Sequence, residues 1–161
     1  MIVVSGKMGG TEEDHIMRIY LDSCSLQRPF DDQTQPRIRV ETEAVLAILS
    51  AAQVGDIVLV NSEALEYEMG RIPDDQRRTE VAAILALSKE RIEITDEAEK
   101  LAISLEKRGI SPLDAVHLAL ASTARVDSFT TCDDRLLRKA KAESAVDCKV
   151  VSPLALVTEV S

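Results

Sequence analysis

Acidic residues follow most of the apolar segments that alternate with helical patterns along this chain. Asp22 ends the first of these segments, and Asp114 lies in the first turn of a helix that starts at Ser111-Pro112. In an open parallel sheet, sites form outside the carboxyl ends of the strands, where the strand order reverses. We therefore expect one group of side chains to meet there: Asp22, Glu63, Glu66, Asp114, Asp133 and Asp134.

Carboxylates that converge without basic partners repel one another, which raises the pKa of some of them and destabilises the fold. A divalent cation removes this repulsion. Carboxylate oxygens without a set of His or Cys ligands suit Mg²⁺ or Mn²⁺. Such ions can activate a water and stabilise the leaving oxygen of a phosphodiester. The acidic group therefore predicts a metal-dependent hydrolytic site.

Each acid also has a structural explanation when it is taken alone. Asp22 and Asp133 can cap the segments that follow them, and Asp114 favours the dipole of its own helix by ~0.3–1 kcal/mol. Glutamates on one short helix more often form a solvated face, which applies to Glu63, Glu66 and Glu68. These explanations account for single residues but not for the recurrence of acids at successive strand ends.

Three further titratable residues lie near these segments. Glu41 and Glu43 fall inside a long helix, and we expect them to be solvated or ion-paired. His117 follows Asp114 by three residues, so both lie on one face of their helix. We expect His117 to be hydrogen-bonded and partly buried rather than to act as a catalytic base.

The elements that position these residues alternate between strands and helices. Short apolar runs predict strands at 17–22, 56–60, 92–94, 126–130 and 149–151. Helical spacing, with Gly stops and Ser-Pro starts, predicts helices at 37–52, 62–69, 73–89, 95–109, 111–124, 133–142 and from 152 onward. A polar loop containing Pro29 and Pro36 follows the first strand. This alternation predicts a three-layer α/β/α sandwich with a central, mostly parallel sheet.

The composition fits one ordinary domain and excludes several classes of protein. The 161 residues are 45% hydrophobic and carry a net charge of −9, which argues against a broad basic surface for DNA. The absence of Trp, with only two Tyr and two Phe, disfavours base-stacking RNA modules. Three Cys without a C-x-x-C pair argue against a disulfide framework and a zinc site, and fit a reduced, cytoplasmic protein. No apolar run approaches the ~20 residues that span a membrane, so no membrane contact is expected.

The first residues differ from the rest of the chain. Residues 1–16 contain three Gly and show no helical periodicity. We expect them to form a flexible arm, or to precede a true start of translation at Met17. Ser5-Gly6-Lys7 lacks the earlier Gly of a phosphate-binding Walker loop. Residues 17–161 are predicted to form the single domain.

Four short motifs resemble, in order and spacing, those of the PIN domain family, which includes the VapC-type toxin ribonucleases of prokaryotic toxin–antitoxin pairs. They are Ile19-Tyr-Leu-Asp22-Ser, Glu63-Ala-Leu-Glu66-Tyr-Glu-Met-Gly70, Ser111-Pro-Leu-Asp114-Ala-Val-His-Leu-Ala119 and Phe129-Thr-Thr-Cys-Asp133-Asp-Arg-Leu-Leu137. The resemblance extends from about Met17 to the C-terminus. It implies a PIN-like fold, with a parallel sheet between layers of helices, and metal-dependent cleavage of RNA.

The resemblance also implies which residues do the chemistry. The acids that would hold Mg²⁺ or Mn²⁺ and serve catalysis are Asp22, Glu66, Asp114 and Asp133. Glu63 and Glu68 compete for the second position, Asp134 competes for the fourth, and Thr131 supplies an accompanying hydroxyl. The RNA phosphates would be positioned by arginines among Arg28, Arg37, Arg71 and Arg135.

The partners follow from the same resemblance. A toxin of this kind would be a homodimer and would bind a small antitoxin that covers the acidic pocket with an inserted Arg or Lys. The main alternative is a non-catalytic PIN-like module that binds RNA or protein, although such a module has no need of a repulsive acidic cluster. A haloacid-dehalogenase-like phosphatase requires Asp-x-Asp after the first strand, whereas this chain has Asp22-Ser23-Cys24.

Overall fold

Seven strands occur in the computed structural model, which describes Lys7–Met8 and residues 15–160. In chain order they are β1 Lys7–Met8, β2 His15–Ile16, β3 Arg18–Leu21, β4 Val58–Ser62, β5 Glu90–Ile92, β6 Ser128–Thr130 and β7 Lys149–Val151. Five of these strands form the central sheet in the order β5-β4-β3-β6-β7. Every neighbouring pair in this sheet is parallel, as the sequence predicts.

Eight helices flank the sheet within the part of the chain that the structure describes. They are α1 Ser23–Gln27, α2 Pro36–Gln53, α3 Glu63–Met69, α4 Asp75–Leu85, α5 Asp96–Lys107, α6 Pro112–Thr123, α7 Asp134–Lys141 and α8 Pro153–Val160. Helix α2 packs against α8, and α5 packs against α6. The predicted three-layer α/β/α architecture is confirmed.

The core explains why the central strands are apolar along their whole length. Ile19, Tyr20 and Leu21 are consecutive in β3, and all three are at most 1% exposed. Such a run fits a parallel strand that helices cover on both faces. The ring of Tyr20 stacks on Phe129 of the neighbouring strand, with centroids 5.5 Å apart. Two of the four aromatic residues therefore stack at the centre of the sheet, on the neighbouring strands β3 and β6.

The strand order reverses between β3 and β6. From β3 the chain builds β4 and β5 on one side of the sheet, and then returns to build β6 and β7 on the other side. The carboxyl ends of β3 and β6 therefore frame the crevice in which α/β proteins place their sites. Asp22 directly follows β3, and Thr131 directly follows β6.

Several boundaries differ from the prediction, and the strands predicted at 56–60 and 126–130 begin two residues later, at Val58 and Ser128, with β4 extending to Ser62. The predicted polar loop after the first strand begins with α1 and a 3-10 turn at Arg28–Phe30, because the side chain of Asp22 caps α1. The predicted strand 92–94 is wrong by two residues, since the pairing register joins Glu90 to Val60. The predicted helix 73–89 is shorter, because Asp74 caps its start and α4 ends at Leu85.

The arm predicted for residues 1–16 lies mostly outside the described residues. Its described parts, β1 and β2, pair as a small antiparallel ladder. The side chain of His15, at the end of this ladder, bonds Asp127 at 2.7 Å. Among the residues that the structure describes, none of the helices combines the length and apolarity needed to cross a membrane.

Candidate active site

Asp22 lies at the base of the crevice and is only 3% exposed. Its carboxylate accepts a hydrogen bond from the backbone N–H of Ser25 at 3.0 Å, which starts α1. Burial raises the pKa of Asp22 to about 6, although hydrogen bonds from Thr131 and Ser25 act in the opposite direction. A carboxylate that is charged at neutral pH is therefore held where its charge is poorly solvated.

Thr131 links Asp133 to Asp22 by hydrogen bonds. The hydroxyl of Thr131 hydrogen-bonds the Asp22 carboxylate and accepts the backbone N–H of Asp133 at 3.0 Å. Asp133 caps α7, because one of its oxygens accepts the backbone N–H groups of Arg135 and Leu136. Asp133 therefore caps α7, which accounts for it structurally, and it also lines the crevice.

Asp114 approaches the crevice from α6. Its carboxylate accepts the hydroxyl hydrogen of Ser111 at 2.7 Å, so the residue before Pro112 orients the acid instead of capping the helix with its side chain. Asp114 and Asp133 line the same cavity of about 490 Å³, which lies between the turn before α6 and the start of α7. The two acids therefore face a common solvent-filled space.

All three acids act electrostatically on the Cys24 thiol. Burial, together with the negative charges of Asp22, Asp133 and Asp114, raises the pKa of this thiol to about 12. Within residues 15–160, none of these three carboxylates forms a salt bridge with Lys or Arg. The cluster is therefore rich in carboxylates that have no ion-pair partner, and its donors are oxygens of the kind that hard cations prefer.

The described residues contain no group of three His, Cys, Asp or Glu side chains arranged closely enough to hold a metal ion. The donor chemistry of the crevice nevertheless fits Mg²⁺ or Mn²⁺, because a buried carboxylate and its two acidic neighbours offer oxygen donors and form no salt bridge with Lys or Arg within residues 15–160. Mg²⁺ also keeps several waters and needs few protein carboxylates. An ion held by few carboxylates and several waters suits this arrangement.

The second acid expected in the cluster lies elsewhere. Glu66 is exposed on α3, where Arg91 binds its carboxylate through two nitrogens at 2.9 and 3.0 Å. The side-chain amide of Asn61 also donates to Glu66 at 2.8 Å. These contacts lower the pKa of Glu66, and the hydrogen bonds from Arg91 contribute most. Glu66 therefore already has its own counter-charge, and the structure does not bring it to the crevice.

Glu68, one of the two predicted competitors for the second position, lies next to the crevice. Glu68 is half-buried, and it hydrogen-bonds Ser23, the residue after Asp22. Its carboxylate also accepts a bond from Nε2 of His117 at 2.7 Å. The helical pattern carries the signal, since Glu68 follows the buried Ala64 by four residues and therefore shares its face. Glu63, the other competitor, is exposed.

The arginines around the crevice differ in whether an acidic side chain already pairs with them. Arg37 binds the carboxylate of Asp134 at 2.8 and 2.9 Å, so the alternative fourth acid is already paired. Arg28 pairs with Asp31 and approaches Glu41, which is ion-paired as expected. Arg71 lies over the ring of Tyr67. Arg135 is exposed and lines the cavity that contains Asp114 and Asp133. The remaining acid of α2, Glu43, is exposed.

Comparisons with known proteins agree with the crevice and the fold. The family model described as PIN domain matches residues 19–142, a range that includes all the acids discussed above. The chain belongs to the PIN domain family. PIN domains are generally nucleases. No curated protein sequence matches this PIN domain chain significantly.

Two solved structures resemble this PIN domain in fold. PAE2754 from Pyrobaculum aerophilum is 15% identical, with a TM-score of 0.57 and coverage of 89% of both chains. VapBC2 from Rickettsia felis, bound to a DNA fragment from its promoter, is 12% identical with a TM-score of 0.53. That match covers 83% of this chain and 98% of the other. At such low identity, the likeness concerns the fold alone.

Proposed function

We propose that this PIN domain is a cytoplasmic, metal-dependent endoribonuclease that hydrolyses RNA phosphodiester bonds, and that it is the toxin of a type II toxin–antitoxin pair. The observation that carries the proposal is that Thr131 links Asp22 to Asp133, that Asp133 and Asp114 line one cavity, and that none of the three acids forms a salt bridge within residues 15–160. If these acids had only a structural role, we would expect them to be paired with basic side chains, because unpaired buried carboxylates destabilise the fold.

The residues that would hold Mg²⁺ or Mn²⁺ are Asp22 and Asp114, with Asp133 and Glu68 completing the site directly or through water. When bound, the ion supplies a Lewis acid that polarises the phosphate and activates a water for attack on phosphorus. Thr131 orients two of these acids, because its hydroxyl contacts the Asp22 carboxylate and the Asp133 backbone.

The partners belong to the same proposal. VapBC2 is a neighbour in fold, which favours an antitoxin as partner. A small antitoxin would inhibit this chain by placing an Arg or Lys against the uncompensated carboxylates, and the toxin would act as a homodimer. Both expectations are testable by co-expression with the neighbouring reading frame and by sedimentation of the purified protein.

The test of the function is cleavage of a labelled pool of structured RNAs by the purified protein, with Mn²⁺ or Mg²⁺ and, in parallel, with EDTA. We expect cleavage that requires the metal. Binding of Mn²⁺ or RNA without cleavage of any RNA in the pool would favour the alternative, a non-catalytic RNA- or protein-binding module. Failure to bind metal at all would overturn the proposed site.

Arg135 gives a prediction about RNA binding. Its side chain is exposed beside Asp114 and Asp133, and no salt bridge holds it within residues 15–160. We expect Arg135→Ala to weaken binding of single-stranded RNA and to reduce the slope of log K against log salt by about 1. Fluorescence anisotropy at several salt concentrations measures both. Arg71→Ala, which removes an arginine stacked on Tyr67, is the comparison; equal losses in both variants would contradict a specific role for Arg135.

A further inference from the structure

A buried chain of hydrogen bonds leads from the centre of the sheet to Glu68. The hydroxyl of Tyr20 lies 2.7 Å from Oγ of Ser62 and 2.6 Å from Nδ1 of His117. Nε2 of His117 lies 2.7 Å from the carboxylate of Glu68. Tyr20 and Ser62 are fully buried and His117 is 1% exposed, so the chain reaches solvent only at Glu68.

The direction of each hydrogen bond follows from the groups that take part. An ionised Glu68 can only accept, so Nε2 of His117 carries a hydrogen. In the neutral imidazole Nδ1 is then an acceptor, and the Tyr20 hydroxyl donates to it. The Tyr20 oxygen in turn accepts from the Ser62 hydroxyl, whose own oxygen accepts the backbone N–H of Leu65 at 3.0 Å. With a neutral imidazole, every polar atom in the chain is satisfied in one arrangement, in which Nε2 of His117 carries the hydrogen.

The members of this chain lie on the elements that carry the acids. Tyr20 precedes Asp22 by two residues, and His117 follows Asp114 by three on α6. Ser62 caps α3, the helix that carries Glu68. The hydrogen bonds therefore couple the end of β3, the start of α3 and the first turns of α6, which are the three segments that must keep their relative positions if a cation is held between them.

We propose that His117, oriented by Tyr20, is a positioning residue that holds the Glu68 carboxylate towards Asp22 and so sets the metal affinity of the crevice. This inference rests on the proposed function. Outer hydrogen-bond partners of metal ligands fix the orientation of those ligands, and their loss typically weakens metal binding by ~10–100-fold. His117 does not contact the substrate in this role, since it is almost completely buried.

The test compares Mn²⁺ binding, measured by the electron paramagnetic resonance signal of free Mn²⁺, in the wild type and three variants. We expect His117→Ala to weaken Mn²⁺ binding by ~10–100-fold. We expect His117→Gln to recover most of the affinity, because its side-chain amide can donate to Glu68. Tyr20→Phe keeps the ring stack on Phe129 but removes the donor to Nδ1, so we expect a smaller loss in the same direction.

A control separates positioning from general loss of stability. Leu105→Ala truncates a fully buried side chain of α5, which packs on α6, and should lower the Tm without changing Mn²⁺ affinity. Wild-type Mn²⁺ affinity in both His117→Ala and Tyr20→Phe would overturn the positioning role of His117 but would leave the proposed metal site in place. Should His117→Ala fail to fold, a wild-type affinity in Tyr20→Phe together with an Nδ1–H tautomer of His117 in the ¹⁵N spectrum would overturn it. Absence of Mn²⁺ binding in the wild type would instead remove the proposed site itself.

Discussion

Asp22→Asn is expected to abolish metal-dependent RNA cleavage while leaving the metal-free fold intact or more stable. The variant keeps an oxygen that can accept the Ser25 N–H, and Asn caps helices about as well as Asp. It removes a carboxylate at the base of the cluster, so we expect a loss of activity beyond the ~10–100-fold typical for an outer hydrogen-bond partner. Cleavage of labelled RNA in Mn²⁺ measures this effect.

The stability of the same variant is the more discriminating measurement. Burial raises the pKa of Asp22 to about 6, so at neutral pH the folded protein carries a charge that it solvates poorly. Replacing that charge by a neutral amide should raise the metal-free free energy of unfolding by roughly 1–3 kcal/mol. The wild type should gain stability on addition of Mn²⁺, because a ligand that binds only the folded state stabilises it. The variant should gain little.

Two results would contradict this account. A metal-free Asp22→Asn protein that is markedly less stable than the wild type would mean that Asp22 is primarily a structural cap for α1. An unchanged rise of Tm with Mn²⁺ in the variant would mean that the ion binds elsewhere. Asp134→Asn is the matched control, because Asp134 is an exposed acid paired with Arg37 and should change neither activity nor the Mn²⁺ effect.

Most of the fold could be predicted from the sequence because its strands are short apolar runs with clear stops. The positions of Asp22, Asp114 and Asp133 followed from topology, since each acid comes directly after a strand or at the start of a helix. The start of β5 could not be predicted in the same way. Glu90 belongs to the strand because its carboxylate binds Arg18 on β3, a contact between residues 72 positions apart in the chain.

The second acid of the candidate site could not be assigned from the sequence. All three glutamates of α3 lie close together in the sequence, and the family motif alone did not separate them. Packing separates them, because Ala64, Leu65 and Met69 are buried and define the inner face of the helix. The hydrogen bonds of His117 could not be predicted either, since they depend on the pairing of β3 with β4, which lets the Tyr20 hydroxyl reach Ser62, 42 positions away.

Glu68→Gln and Glu66→Gln, two isosteric changes two residues apart on α3, are therefore expected to have opposite outcomes. Glu68→Gln removes a carboxylate that bonds His117 and Ser23 beside Asp22, so RNA cleavage and Mn²⁺ affinity should fall by ~10–100-fold or more. Glu66→Gln removes only a surface ion pair with Arg91, whose side chains are 42% and 43% exposed. Such pairs contribute ~0–1 kcal/mol, so its activity should remain close to that of the wild type.

The comparison is informative because both variants keep the length, the volume and the helix propensity of the side chain. Cleavage rates and Mn²⁺ titrations of the two proteins, run side by side, measure the difference. If Glu66→Gln loses activity and Glu68→Gln does not, α3 presents its outer face to the substrate, and the geometry of the crevice proposed here is wrong. If both lose activity, Arg91 and Glu66 extend the site along the edge of β5, since Arg91 lies on that strand. Only a selective effect of Glu68 fits a cation held between the ends of β3 and β6 and the inner face of α3.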